Sequence, residues 1–471
     1  MDWAAEEMSK ADLGDKRLNK RLVSLLNTLG NQTQCSIPVA CGGWAETKAA
    51  YRFFDNINVS AEKILAPHRA TTIERIKQYQ TVLLVQDTTI LNFSGQHTRT
   101  DLGPLKNENH RGILLHPTIA FTPDRICLGV IDTYHWAREK LKNWQDQKEK
   151  NRENHKIPLE AKESYKWLLS YFKCQEVANL APNTRIITVA DREGDIYDLY
   201  QEACTSDQVN SAYFLIRAIR NRRLLDQNNN IKSLKLIENV KNKKPIGIIE
   251  FELPANNKIE QRIIKQAIHI DKVRLSPLDR KRISSNIVEI NVVIATEINP
   301  LSGQEPIEWI LLTNVPTDNV DSACEIVKWY LCRWQIEIYF RILKSGCKIE
   351  KLQLETKERF DACFTMYMII AWRILYLTMI ARKCPNISCE AVFTEEEWKV
   401  AYMISYHNKP PNEPIDLLTM LHLVAKFGGY LNRKNDRQPG PTAIWIGLQR
   451  LRDFIRATQI YDLFSPIKTY G

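Results

Sequence analysis

Tyr330, Arg333, Glu337, Arg341 and Lys344 follow one another at spacings of three, four, four and three residues. On a helix those steps bring all five side chains to one face. Trp329, Leu331, Ile336, Ile338, Phe340 and Leu343 fill much of the remainder. The stripe therefore holds a single acid among three cations and a phenol on an otherwise apolar helix. An exposed helix face usually mixes in more Glu and Asp. One metal ligand flanked by groups that bind phosphate oxygens explains the pattern. A salt-bridge ladder Arg333–Glu337–Arg341 is the plainer alternative. Two further acids stand at strand ends. Asp87 closes TVLLVQ and is followed by Thr88 and Thr89, and Asp191 directly follows TRIITVA in DREGD. Two such ends side by side put carboxylates a few ångströms apart, where both ionise cheaply only beside a cation. Oxygen-only ligands suit Mg2+ or Mn2+, and two such ions stabilise the attacking and leaving oxygens of an in-line phosphoryl displacement. Turn or capping roles are the alternative for each Asp.

Other residues extend this chemistry toward nucleic acid. Trp309 in IEWILLTN is either a core ring or a platform for an unstacked base. Arg217, Arg220, Arg222 and Arg223 cluster at a strand end, while Lys241, Lys243, Lys244, Arg280, Lys281 and Arg282 fall in turns. Together they make a credible footprint for a phosphate backbone. The nine histidines show no HxxxH or HxH spacing, the 11 cysteines form no CxxC pair, and no GxxxxGK[ST] loop occurs. A histidine-metal site, a structural zinc site, a Ser-His-Asp triad and a Walker-type ATPase all lack support.

The elements that must position these groups read as follows. Residues 1–75 are mostly helical, with Leu13, Leu18, Leu22, Leu25 and Leu26 near helical spacing among basic residues. Gly42-Gly43 breaks the pattern, and WAETKAAYRFFDN opens a helix carrying Lys48 and Arg52. From Thr81 the period changes to strands: TVLLVQDTT, GILLHPTIAFT and RICLGVIDTYHWA. A densely charged segment, AREKLKNWQDQKEKNRENHK, reads as an exposed excursion. A helix over LEAKESYKWLLSYF, the strand TRIITVA, a short helix IYDLYQEAC and the strand AYFLIRAIRNRR follow. Residues 224–306 alternate like antiparallel strands and read as an all-β insertion. From Val320 the chain is helical, with one long helix stopping at Gly346. The β-β-β-α-β-α-β order resembles the ribonuclease H fold. The fold class is thus α/β: a ribonuclease H-like catalytic core over 76–223 and 307–355 with its insertion at 224–306. A helical DNA-binding region at 1–75 and a helical region at 356–471 flank it.

Length and charge agree with this reading. The chain has 471 residues, enough for two or three domains, and 44% are apolar. A net charge of +10 suits a polyanionic partner. The acidic N-terminus is unlike a signal peptide, and Arg373 interrupts the most apolar stretch, Phe364 to Ala381. Neither a secreted protein nor a membrane span is expected, and scattered thiols fit a cytoplasmic protein.

The chain also resembles a known family. Tyr330, Arg333, Glu337 and Lys344, separated by two, three and six residues, match the YREK signature of insertion-sequence-4-type DDE transposases. DWA, LGDKR, KRL and AAYRFFDNINVSAE resemble that family's N-terminal DNA-binding region. LLVQDTT and VADREGDIYD resemble the segments with the first and second catalytic Asp. EINP and EPIEWILLTNVP resemble the strand before the YREK helix, and KFGGYLNRKNDR with WIGLQRL resembles the C-terminal helices. The resemblance implies a bacterial cut-and-paste transposase in which Asp87, Asp191 and Glu337 bind two Mg2+ ions, with Mn2+ able to substitute. It implies that Tyr330, Arg333 and Lys344 hold phosphates near the DNA end and that Trp309 receives a flipped base, while Arg341 departs from the lysine of a relative but keeps a cation for DNA contact. Arg217 joins these as a DNA contact at its strand end. The Lys48 and Arg52 region would read terminal inverted repeats, and the C-terminal helices would build a homodimer around two double-stranded ends before attack on target DNA. Two other readings share many of these residues: a metal-dependent nuclease on the same core, and a DNA-binding protein without catalysis.

Overall fold

In a computed structural model the described residues are 2–96, 99–107, 109–139, 157–205, 210–253, 262–277, 287–434 and 436–464. The head carries five helices: α1 (Trp3–Glu7), α2 (Lys16–Asn31), α3 (Ile37–Cys41), α4 (Trp44–Phe54) and α5 (Ala61–Ile76). Asp15 starts α2 by accepting the Arg17 N–H, and Gly42 ends α3 at φ +72° before Gly43 opens α4.

The strands β1 (Thr81–Gln86), β2 (Thr89–Asn92), β3 (Gly103–Pro104), β4 (Arg111–Phe121) and β5 (Cys127–Trp136) come next. Both β1 and β2 pair antiparallel with β4 in one continuous register, Gln86 opposite Thr118 and Thr89 opposite Leu115. They are one strand line broken at Asp87 and Thr88. β6 (Arg185–Ala190) runs parallel to β1, and β7 (Tyr213–Arg217) runs parallel to β6. The two crossovers use α6 (Tyr165–Leu180) and α7 (Tyr197–Thr205). The resulting order is β5-β4-β1-β6-β7.

The apolar runs of β1 and β6 are buried on both faces, as expected for central strands covered by helices. Val82, Leu84 and Ile186 join Trp167 and Tyr171 of α6 in one core. Leu83, Val85 and Ile187 join Tyr330, Ile336 and Phe364 in the other.

Residues 224–306 are not purely β. They hold β9 (Ile231–Lys235), β10 (Gly247–Leu253), β11 (Arg262–Leu275) and β12 (Val288–Glu297), with β8 (Arg223–Leu225) at the boundary. They also hold a helix, α8 (Leu236–Lys241). Its apolar pair, Leu236 and Val240, is one helical turn apart and buried, a signal too short to read as a period. The segment widens the same sheet: β13 (Glu308–Thr313) pairs with β7 and β12, and β12 pairs with β11. Residues 140–156 of the charged excursion, and Arg280, Lys281 and Arg282, lie outside the described residues.

The long helix is jointed. α9 (Val320–Cys332) begins with a capping box from Asn319 and Ser322. Arg333 follows in helical conformation, α10 (Trp334–Arg341) continues, and Ile342–Gly346 form a wider π turn. Then come α11 (Lys357–Lys383), α12 (Glu395–Tyr406), α13 (Leu417–Phe427) and α14 (Pro441–Phe464). By length and composition α11 could cross a membrane, but most of its apolar length is buried inside the protein. Arg373 in its middle lies 4.6 Å from the Trp3 ring and donates to the Val392 carbonyl.

Candidate active site

The β1–β6 register sets Val85 opposite Val189. Asp87 and Asp191 each lie two residues beyond that pair, just past the ends of β1 and β6, and the charge of Asp191 acts on Asp87. Asp87 accepts the Thr88 N–H on Oδ1 at 2.7 Å and the Arg333 Nη1 on Oδ2 at 2.9 Å. Arg333 also donates Nη2 to Glu337 Oε1 at 2.6 Å. One guanidinium therefore ties the β1 acid to the helix acid. Burial pushes the Asp87 carboxyl up to about 6; Arg333 opposes this, and the negative charges of Asp191 and Glu337 add to the rise. Asp191 caps the short turn Arg192–Gly194 by accepting the Glu193 N–H at 2.9 Å. The capping role read from sequence is thus present, and it engages a single oxygen.

Tyr330 is buried, its hydroxyl held up by burial and drawn down by Arg333 and Arg217. Arg217 also donates to the Glu308 carbonyl at 2.9 Å. Arg341 is exposed beyond Glu337. Lys344 stands on the π turn, half-buried, and burial lowers its ammonium pKa against the pull of Glu350. Trp309 is only 3% exposed. Its ring stacks on Phe251 at 5.3 Å and meets Tyr330 and Trp334 edge-on at 5.8 and 6.4 Å. In this conformation it is a core ring beside Tyr330. Lys48 and Arg52 are exposed on α4, which packs against α2, α3 and α11.

The basic cluster after β7 divides. Arg222 is buried and committed to Asp195, with Nε 3.1 Å from its Oδ1, while Asp195 Oδ2 accepts the N–H groups of Ile219 and Arg220. Tyr200 completes the shell around that carboxylate. Arg222 therefore positions the loop after β7 and presents no free charge to a phosphate. Lys241 pairs with Glu308 and Lys243 with Asp271. Sequence reading missed Asp195, whose position at the end of DREGD was the available signal. It also missed His116, which shares a 3.0 Å hydrogen bond with Thr88 and packs edge-on against Trp167 at 4.4 Å. Burial pushes the His116 pKa well down, so the neutral ring braces the residue next to Asp87.

Among the described residues no three His, Cys, Asp or Glu side chains form a ready-made metal cluster. The carboxylate donors nonetheless fit a hard divalent cation. Asp87 and Asp191 follow the ends of β1 and β6, Glu337 approaches from α10 through Arg333, and burial, Asp191 and Glu337 raise Asp87 against Arg333. Arg333 now supplies the countercharge.

Three family profiles match the chain in order. Residues 1–59 match a transposase DNA-binding domain, 179–373 a transposase DDE domain, and 369–466 a transposase Tn5 dimerisation domain. The matched domains are those of a DDE transposase. The DDE match spans Asp191 and Glu337 and begins after Asp87. Among solved structures the chain is similar to a piggyBac transposase synaptic complex with hairpin DNA. The identity is 11% and the TM-score 0.33, over 87% of this chain and 59% of that one. The chain thus spans about three-fifths of that transposase's length. DDE transposase domains use divalent metals, and the carboxylate edge described here has donors of that type.

Proposed function

We propose that this chain is a bacterial cut-and-paste transposase of the insertion-sequence-4 YREK group. The observation that carries the reading is that Arg333 ties Asp87 to Glu337, with the charge of Asp191 acting on Asp87. The β5-β4-β1-β6-β7 order supports a ribonuclease H-like core, since its first three strands are antiparallel and β6 and β7 run parallel to β1. Asp87, Asp191 and Glu337 would hold two divalent ions, Mg2+ or in its place Mn2+, which when bound supply charge neutralisation and activation of a water or 3′-hydroxyl.

The side chains do the rest. Arg341 and Lys344 offer cations to phosphates at the transposon end, and Tyr330 offers a hydroxyl beside Arg217. Arg333 turns from the carboxylates to a phosphate as the site fills. Trp309 stacks on a base turned out of the helix once Phe251 yields its face. Water first breaks a P–O bond, freeing a 3′-hydroxyl. That hydroxyl attacks the opposite strand, joining the two strands as a hairpin and releasing the flank. A second water opens the hairpin, and the new 3′-hydroxyl attacks target DNA. The head, residues 1–75, grips the terminal inverted repeats, and the C-terminal helices hold two chains in a synaptic homodimer acting on DNA in the cytoplasm.

The test is a reaction of the full chain with Mg2+, a plasmid carrying its gene with native flanks, and a second plasmid as target. Release of the flanked segment through a hairpin-sized species, followed by joining to the second plasmid, is the expected result. Cutting without joining would leave a nuclease. Binding without cutting in either Mg2+ or Mn2+ would overturn the catalytic assignment.

A further inference from the structure

The Asp195 side chain is fully buried, and every oxygen of that residue is used. Its Oδ2 accepts the consecutive N–H groups of Ile219 and Arg220, both at 2.9 Å. Its Oδ1 accepts the Tyr200 hydroxyl at 2.8 Å and Arg222 Nε at 3.1 Å, and its carbonyl accepts Arg222 Nη2 at 3.0 Å. A buried ion pair adds little net stability, because desolvation offsets the attraction. A fully satisfied polar network instead fixes geometry.

The geometry fixed here joins two parts of the site. On one side is the turn Arg192–Gly194, which Asp191 opens and Asp195 closes. This turn is stiff. The Gly194 and Asp195 N–H groups donate back to the Asp191 and Arg192 carbonyls at 3.1 and 3.3 Å. Gly194 is pressed against β6, so that a Cβ there would stand 2.7 Å from the Ala190 Cβ. On the other side is the loop at 218–222. Arg217 precedes it, beside Tyr330, and Arg192 of the turn is near enough to oppose the Arg217 charge. Arg220 on the loop is exposed, with no ion pair or side-chain hydrogen bond among the described residues. A candidate metal ligand and two candidate phosphate cations thus adjoin one buried carboxylate.

We propose that Asp195 is a positioning residue that makes the Asp191 turn and the loop at 218–222 one rigid body, so that DNA phosphates on Arg217 and Arg220 and a divalent cation on Asp191 favour each other's binding. This rests on the reading of Asp191 as a metal ligand in a DNA transposase. A loop free to shift alone would be ordered by DNA and leave Asp191 where it was. Locked to the turn, the loop passes its order to Asp191, and linkage makes the effect equal in both directions. Direct attraction between cation and phosphates couples the two ligands as well. That part survives in a variant that keeps Asp191 and the loop charges, so the part lost with Asp195 is the part its network carries.

The experiment measures Mn2+ affinity of the full chain by paramagnetic resonance of the free ion, with and without a duplex from the DNA flanking its gene. Duplex affinity is measured with and without Mn2+, on samples whose DNA a denaturing gel shows intact. In wild type each ligand is expected to tighten the other by the same factor, about tenfold. Asp195→Asn, whose amide cannot accept on both sides, is expected to cut that factor to about two. Arg222→Lys keeps the buried charge without the two-point grip, and it carries the same test if Asp195→Asn does not fold. A merely structural loss would lower the fraction of chains that bind and leave the factor unchanged. The wild-type factor in a folded variant would overturn the inference and leave the transposase reading intact. So would a wild-type factor of about one, meaning no linkage. Failure of the wild-type chain to bind Mn2+ or the duplex would overturn both.

Discussion

Arg333 has its Nη1 on Asp87 and its Nη2 on Glu337, while its Nε is buried without a partner. It is the countercharge for an acidic edge, and a divalent cation placed there would compete for that role. Removing it leaves Asp87 partly buried among like charges. In Arg333→Ala a loss of about 2 kcal/mol is expected without divalent metal. Adding Mg2+ should then raise the unfolding temperature more in the variant than in wild type. Scanning calorimetry with and without Mg2+ checks this, and an equal metal effect in both proteins would contradict it. In sequence the three acids stand out because two follow apolar strands and one breaks a cationic helix stripe. The ties among residues do not. Arg222 read as a surface cation because nothing local reveals that Asp195, 27 residues away, takes its charge. Trp309 gave no sign that Phe251 would cover its ring, since stacking across a sheet depends on register.

The short α1 is fastened by charge at long range. Glu7 receives Arg75 on both oxygens, at 2.9 and 3.0 Å, and lies 2.5 Å from His68 Nδ1. The Val130 N–H donates to His68 Nε2, so the ring proton sits on Nδ1 and points at Glu7. Burial works to raise the Glu7 pKa, but His68 and Arg75 bring it down to about 2. A carboxyl depressed in the folded state stabilises fully above its unfolded value of 4.5. That contribution, on the order of 3 kcal/mol, is lost as pH falls from about 4.5 to about 2. Glu7→Gln should cost a similar amount at neutral pH and remove much of the acid-induced loss, as read by unfolding at a series of pH values. A variant with the wild-type acid profile would contradict this. In the C-terminal helices the limit is space. A Cβ on Gly447 would stand 1.9 Å from the Val424 carbonyl oxygen, so Gly447→Ala must push α13 and α14 apart. A loss of about 2 kcal/mol in thermal unfolding is expected. Helices and strands were legible where their period ran long. The helix α8, the break between β1 and β2 and the π turn Ile342–Gly346 were not, because each departs from its pattern over six residues or fewer.

At the scale of the whole molecule, the strands of the insertion extend the catalytic sheet, and the head is bound to α11 through Trp3 and Arg373. The domain order of head, DDE domain and dimerisation domain follows the chain, and the sequence segments that resemble the family follow the same order. Pairing of two chains is the part that no single chain displays. Met403, Tyr406 and Ile460 are exposed apolar residues on α12 and α14, within the dimerisation match. With end DNA, light scattering is expected to give two chains and two duplexes. Ile460→Asp should give one chain per duplex, keep single-duplex affinity and lose joining to target.

The most direct measurement is single-turnover cleavage of the flank duplex in Mg2+ by Asp87→Ala, Asp191→Ala and Glu337→Ala, each at matched DNA occupancy. If the β1–β6 register and α10 assemble one phosphoryl-transfer site, each variant loses at least about a thousandfold in rate while binding the duplex as tightly as wild type. Wild-type cleavage by any one of the three would contradict it.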